Sequence, residues 1–107
     1  MNRLSVWTVS LTLAAAAMAW PASKGDAEKG KAVFERCSVC HNPDSTEKKM
    51  GPGLKGLFKR DKLASGKKAT EANIRARIDE GGQGMPAYKD MLSDDEKNDL
   101  IAYLKTL

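Results

Sequence analysis

The sequence is short of the side chains that usually fill a globular interior. Beyond residue 19, Leu, Ile, Val and Phe together make up 14 of 88 residues, less than the roughly one-fifth expected of a chain that folds on its own side chains. Both tryptophans, Trp7 and Trp20, lie in the first 20 positions, and only Phe34, Phe58, Tyr88 and Tyr103 remain as aromatics beyond them. Chains of about this size bury only a modest share of their surface. The shortage argues against a core made of side chains alone and calls for a large, flat, apolar group within the fold.

Other absences narrow the function. The same 88 residues hold 17 Lys and Arg against 14 Asp and Glu, a net of +3 with the signs well mixed. Nucleic-acid binding is excluded as a reading, because it needs a concentrated basic face. There is one histidine, His41, and there are two cysteines, Cys37 and Cys40. No internal repeat and no alternation of strand type is visible, and 107 residues allow a single small domain.

The N-terminus stands apart from that domain. Met1-Asn2-Arg3 is a short positive start, positions 4 to 23 carry no charge, and Ala17-Met18-Ala19 has the small-x-small form of a secretory cleavage site. Residues 1–19 read as a signal peptide and residues 20–107 as the mature domain, which is exported to the periplasm and has no membrane span after cleavage. Uncleaved, the segment is long enough to act as a membrane anchor. Ser5, Thr8, Ser10 and Thr12 weaken it in that role, and Pro21 closes it.

What remains is all-α. Residues 26–36 place Ala27, Gly30, Val33 and Phe34 on one side at steps of three and four. Leu54, Leu57 and Phe58 suggest a short helical turn within residues 54–60, followed by a polar connection over 61–69. Thr70 reads as the N-cap of a helix carrying Ile74 and Ile78 and stopped by Gly81-Gly82. Ser93 and Glu96 form a capping-box pattern ahead of Leu100, Ile101, Tyr103, Leu104 and Leu107.

Cys37-Ser38-Val39-Cys40-His41 carries the chemistry. Two thiols three positions apart share one side of a helical turn, where each can form a thioether with a haem vinyl group. The next residue then offers an imidazole to the iron, and C-x-x-C-H is the attachment signal of c-type haem. A structural zinc site normally takes four Cys or His ligands, and this chain holds three. A thioredoxin-like pair needs a βαβ setting, and a disulfide closing so short a loop would constrain the unfolded chain little.

Methionine is a haem ligand opposite histidine, and Met50, Met85 and Met91 are available. Met85 is preferred because Gly81-Gly82-Gln83-Gly84 precedes it and Pro86 follows, giving a loop able to strap a flat ligand. Met91, just before the last helix, is the reserve, and Met50 lies near the attachment side. The ordinary role of any of the three is apolar filling.

Three segments of the chain resemble class I c-type cytochromes, the family that includes mitochondrial cytochrome c. They are the first helix, Gly25-Asp26-Ala27-Glu28-Lys29-Gly30-Lys31-Ala32-Val33-Phe34, the segment Gly51-Pro52-Gly53-Leu54-Lys55-Gly56-Leu57-Phe58-Lys59-Arg60, and the closing Asp99-Leu100-Ile101-Ala102-Tyr103-Leu104-Lys105. The resemblance implies short helices wrapped around one covalently attached haem c, with the first and last helices crossing where Gly30 and Phe34 meet Leu100 and Tyr103. It implies that Pro52 offers its carbonyl to the second nitrogen of His41 and that Arg60 pairs with a haem propionate. Only 24 residues separate Arg60 from Met85, with no Trp or Tyr among them. The propionate partners that larger relatives place there lack an equivalent, and the haem edge is expected to be more exposed. The Gly84-Met85-Pro86-Ala87-Tyr88 loop resembles that of small bacterial members.

The reading that follows is a monomeric electron carrier, not an enzyme. His41 and Met85 fill both axial positions, and redox protein donors and acceptors dock transiently, with Lys48, Lys49, Lys55 and Lys59 as a candidate rim for an acidic partner. Two alternatives stand beside it: a haem-based sensor of small ligands, and the haem subunit of a dehydrogenase. The thin core yields a first prediction. The Cys37→Ala/Cys40→Ala protein, made without cofactor attachment, should be largely unfolded by circular dichroism, and a cooperative native-like melt would contradict it.

Overall fold

Each helix begins at a side chain suited to satisfy its free N–H groups. In the computed structural model, which describes residues 25–107, the first helix, α1 (Ala27–Phe34), starts at Asp26. The Asp26 carboxylate accepts from the N–H groups of Glu28 at 2.9 Å and Lys29 at 3.3 Å. The expected signal peptide and its cleavage site lie outside the described residues. The last residues of the expected first helix form turns instead, with Glu35 and Arg36 bonding three residues back to Ala32 and Val33.

A single 3₁₀ turn, Leu57–Lys59, follows Gly56 and buries Leu57. The second α-helix, α2 (Glu71–Glu80), is capped by the Thr70 hydroxyl, which accepts from Asn73 N–H at 3.2 Å. It buries Ile74 and Ile78 and ends at Gly81, whose N–H bonds the Arg77 carbonyl.

The third, α3 (Asp94–Leu104), opens with the full capping box: Ser93 and Glu96 exchange backbone-to-side-chain bonds of 3.1 Å each way. Those bonds, the backbone one first, hold the Glu96 carboxyl below its ordinary value. A depressed carboxyl stabilises the fold above its unfolded pKa, and the contribution is lost as the pH falls through the folded one.

The architecture rests on α1 crossing α3. A Cβ on Gly30 would overlap the Asp99 carbonyl and crowd the Tyr103 Cβ, so only glycine lets the two backbones approach this closely. The Phe34 and Tyr103 rings meet beside it, centroids 5.3 Å apart and tilted by 54°. Asp26 N–H donates to the Asp99 carboxylate at 2.7 Å, fixing the start of α1.

Leu100 and Ile101 are the most deeply buried side chains, and Phe34, Leu54, Leu57, Ile74, Ile78, Leu92 and Leu104 complete the core. Polar contacts bind α2 to α3: Arg75 to Asn98 at 2.7 Å, Lys105 to Glu71 at 2.8 Å and Lys97 to Asp79 at 2.8 Å. The described residues form no strands, only two isolated bridges, Lys62 with Lys68 and Gly82 with Met85. No helix among them is long and apolar enough to cross a membrane.

Two substitutions test this construction. Gly30→Val should cost about 3 kcal/mol or more through overpacking at the crossing. Ser93→Ala should cost about 1 kcal/mol through the lost cap. Denaturant unfolding of both proteins checks the order, and equal losses would count against the crossing as the critical contact.

Candidate functional site

The C-x-x-C-H segment leaves α1 directly. Cys37 N–H bonds the Phe34 carbonyl at 2.7 Å, and the N–H groups of Cys40 and His41 both bond the Cys37 carbonyl, at 3.1 and 3.0 Å. These bonds wind residues 37–41 into helical turns, and both cysteines are free thiols, each half-buried. Burial pushes the Cys37 thiol up, Arg36 partly offsets this, and Cys40 adds to it.

His41 is fixed from below. Its Nδ1 lies 2.8 Å from the Pro52 carbonyl oxygen, which sets Nδ1 as the donor and leaves Nε2 available as a ligand. Gly51 lies against the flat of the ring: a Cβ there would strike His41 Cε1 and crowd both ring nitrogens. Gly51 N–H in turn bonds the Cys40 carbonyl at 2.8 Å, and Leu54 N–H bonds the Asn42 carbonyl at 2.8 Å. The loop 42–54 is thereby folded back onto the thiol segment.

Arg60 braces this loop, its Nη2 donating to the carbonyls of Gly53 at 2.8 Å and Lys55 at 2.7 Å. Pro52 and Arg60 are therefore brought to the same loop, seven residues of chain apart from Gly53 to Arg60.

The three methionines occupy different settings. Met85 is half-buried and packs on the core together with Cys37, Phe58, Leu63 and Tyr88. Met50 is 80% exposed, with its sulfur 4.0 Å from Cys40 Sγ, and Met91 is 58% exposed. Met85 sits in a tight turn closed by paired bonds with Gly82, of 2.9 and 3.1 Å. Gly81, Gly82, Gln83 and Gly84 all take positive φ, between 52° and 123°, a backbone that glycine adopts most freely.

The loop also reaches the thiol segment. Arg36 Nη1 bonds the Met91 carbonyl at 3.4 Å. Burial, and after it the proximity of Cys37 and Cys40, raises the Tyr88 hydroxyl above its ordinary value. Sequence reasoning assigned no contact to Gly51 or Arg36. Gly51-Pro52, directly after a loop that follows His41, was the available signal for the first.

Three α-helices closing on a Cys-x-x-Cys-His turn, with an imidazole held at one nitrogen, define a class I c-type cytochrome. The family model described as Cytochrome c matches residues 27–107, and the chain belongs to the cytochrome c family. It is similar to cytochrome c2 of Blastochloris viridis, at 35% identity over 84% of this chain and 84% of that one. It is also similar to cytochrome c2 of Rhodobacter capsulatus, at 39% identity over 53% of this chain, spanning 47% of the relative's length. The solved structure of cytochrome c6 from the diatom Phaeodactylum tricornutum superposes with a TM-score of 0.59 at 29% identity, covering 77% of this chain and 93% of that one.

As a family member the protein is a haem-bearing electron-transport protein rather than an enzyme, and it carries one covalently bound haem c. The donor set fits that group. Two free thiols, an imidazole with Nε2 available, a half-buried thioether and the glycine that leaves room beside the His41 ring are the chemistry it requires.

Gly51→Ala should disturb this arrangement while leaving the thiols intact. Stability should fall by about 1–3 kcal/mol as the loop is pushed off the ring. The reduction potential of the holoprotein should shift as the Pro52–His41 bond lengthens. Unchanged melting and potential would show that the close approach is dispensable.

Proposed function

We propose that the protein is a periplasmic carrier of single electrons in which Cys37 and Cys40 hold the haem by thioethers and His41 and Met85 are its axial ligands. The observation that carries this reading is the 2.8 Å contact of His41 Nδ1 with the Pro52 carbonyl, on a turn that also presents both free thiols. When bound, the haem supplies an iron centre that takes up one electron and gives it back.

The chain's own residues do the rest. Pro52 accepts from Nδ1–H and so aims Nε2 at the iron, raising the basicity of the imidazole. Met85, on a loop of positive-φ backbone, would hold the haem iron through its thioether, and Met ligation would favour the reduced state by raising the potential. The exposure of Met50 and Met91 supports Met85 over both. Arg60 spends Nη2 on the Gly53 and Lys55 carbonyls, and its remaining N–H groups are offered to a haem propionate. With His41 and Met85 as its ligands, the haem would exchange electrons without needing to bind a substrate.

The remaining features concern delivery and exchange. Residues 1–19 act as the export signal, cleaved after Ala19, and residues 20–107 act as a monomer. Lys48, Lys49, Lys55 and Lys59 are all exposed, and they form a rim for acidic donor and acceptor proteins. Redox encounters bury little surface and separate quickly, which suits scattered lysines.

Two methionine variants test the ligation. Met85→Ala should abolish the weak long-wavelength band of the oxidised protein, lower the reduction potential and allow carbon monoxide to bind the reduced iron readily. Met91→Ala should leave the spectrum and potential almost unchanged. Loss of the band in Met91→Ala with its retention in Met85→Ala would reverse the assignment. Retention in both would bring the ligand-sensor reading forward.

A further inference from the structure

A lysine in the opening turns of α3 is buried where local rules disfavour it. Asp94, Asp95 and Glu96 occupy the first turn of α3, where negative charge suits the positive end of the helix. Lys97 follows them with the opposite sign and is only 5% exposed. Lysine is almost never this buried unless paired. A residue that breaks local preference points to a compensating tertiary contact.

The compensation joins three parts of the fold at one ammonium group. Lys97 Nζ lies 2.8 Å from Asp79 Oδ1 in the last turn of α2 and 4.0 Å from Asp94 Oδ1 in α3. It also donates to the Lys89 carbonyl at 3.0 Å, four residues beyond Met85. The backbone runs parallel to this contact: Tyr88 N–H bonds the Ile78 carbonyl at 2.9 Å, and Lys89 N–H bonds the Asp79 carbonyl at 3.2 Å. The Met85 loop is therefore clamped at both ends. Gly81 N–H ties its start to Arg77, and Lys97 with the end of α2 ties its finish. Between the clamps lies the positive-φ run 81–84, which contributes no anchoring side chain to the buried core.

We propose that Lys97 is a positioning residue for Met85: its buried ammonium locks the far end of the loop to α2 and keeps the thioether from being displaced at the iron. The inference rests on Met85 being the axial ligand. A ligand held on a loop competes with outside ligands according to how often the loop opens, and a lost clamp raises the open population. Removing one partner of a buried pair leaves the other charge without compensation, so the effect should be large and concentrated at this loop.

The test uses the oxidised holoprotein with imidazole as the competing ligand. Lys97→Met should tighten imidazole binding by about tenfold or more. It should also speed amide hydrogen exchange at Tyr88 and Lys89 while sparing Ile101. Lys97→Arg, which keeps a donor and a charge, should restore most of the wild-type resistance.

Ile101→Val is the control, since it loosens the α1–α3 core without touching the clamp. If Lys97→Met folds poorly, the Lys97→Met/Asp79→Asn protein, which leaves no lone carboxylate, is measured in its place with the same expectation. Imidazole affinity that moves no further than in the Ile101→Val control would overturn the positioning role while leaving Met85 ligation intact. Retention of the long-wavelength band in Met85→Ala would overturn both readings together.

Discussion

Where α1 meets α3, the Gly30 backbone lies so close to Asp99 that no side chain fits between them. The position of the attachment segment follows from that contact. The C-x-x-C-H turn is bonded to the last turn of α1 through the Phe34 carbonyl, so the crossing determines where both thiols and His41 stand. From the other partner, α3 carries Lys97 toward the end of α2 and the Met85 loop. Two helices of 8 and 11 residues thus hold the two halves of the site against one another. Neither would be stable alone at such a length, since isolated helices this short are marginal in water.

The site itself shows a division of labour between side chains and backbone. The reactive groups are few: two thiols, one imidazole and one thioether. The groups that aim them are largely peptide carbonyls and glycines: Pro52 behind the ring, Gly51 beside it, and Gly53 and Lys55 beneath Arg60. Backbone groups change little when side chains vary, so the geometry of the imidazole is insulated from substitution around it.

Much of this was legible in the sequence because its signals are local. The Thr70 and Ser93 caps, the Gly81 stop and the C-x-x-C-H turn each depend on residues within a few positions of one another, and each appears where it was read. The crossing of the first and last helices came from the family resemblance, since no local pattern reports a contact between Phe34 and Tyr103. What was not legible depends on distant chain coming close. Lys97 is indistinguishable in sequence from a solvated helix lysine, and its partners stand 18 and 8 positions before it in the chain. Arg36 bonding to Met91, 55 positions away, belongs to the same class.

The left-handed backbone of residues 81–84 also bears on how such a protein can diverge. Gln83 already holds a φ of 52°, a conformation that β-branched residues accept poorly. The neighbouring glycines have little freedom to be replaced, and Gly81 has none to spare, because a Cβ there would overlap the Met85 carbonyl. Residues 61–69, joined to themselves by one bridge and lying over the surface, carry that restriction at one position alone, Gly66, with a φ of 85°. Mutational drift and insertions should therefore accumulate in that connection while the loop carrying Met85 stays nearly immobile in sequence. The chain can alter its outline on one side without renegotiating the Met85 loop on the other.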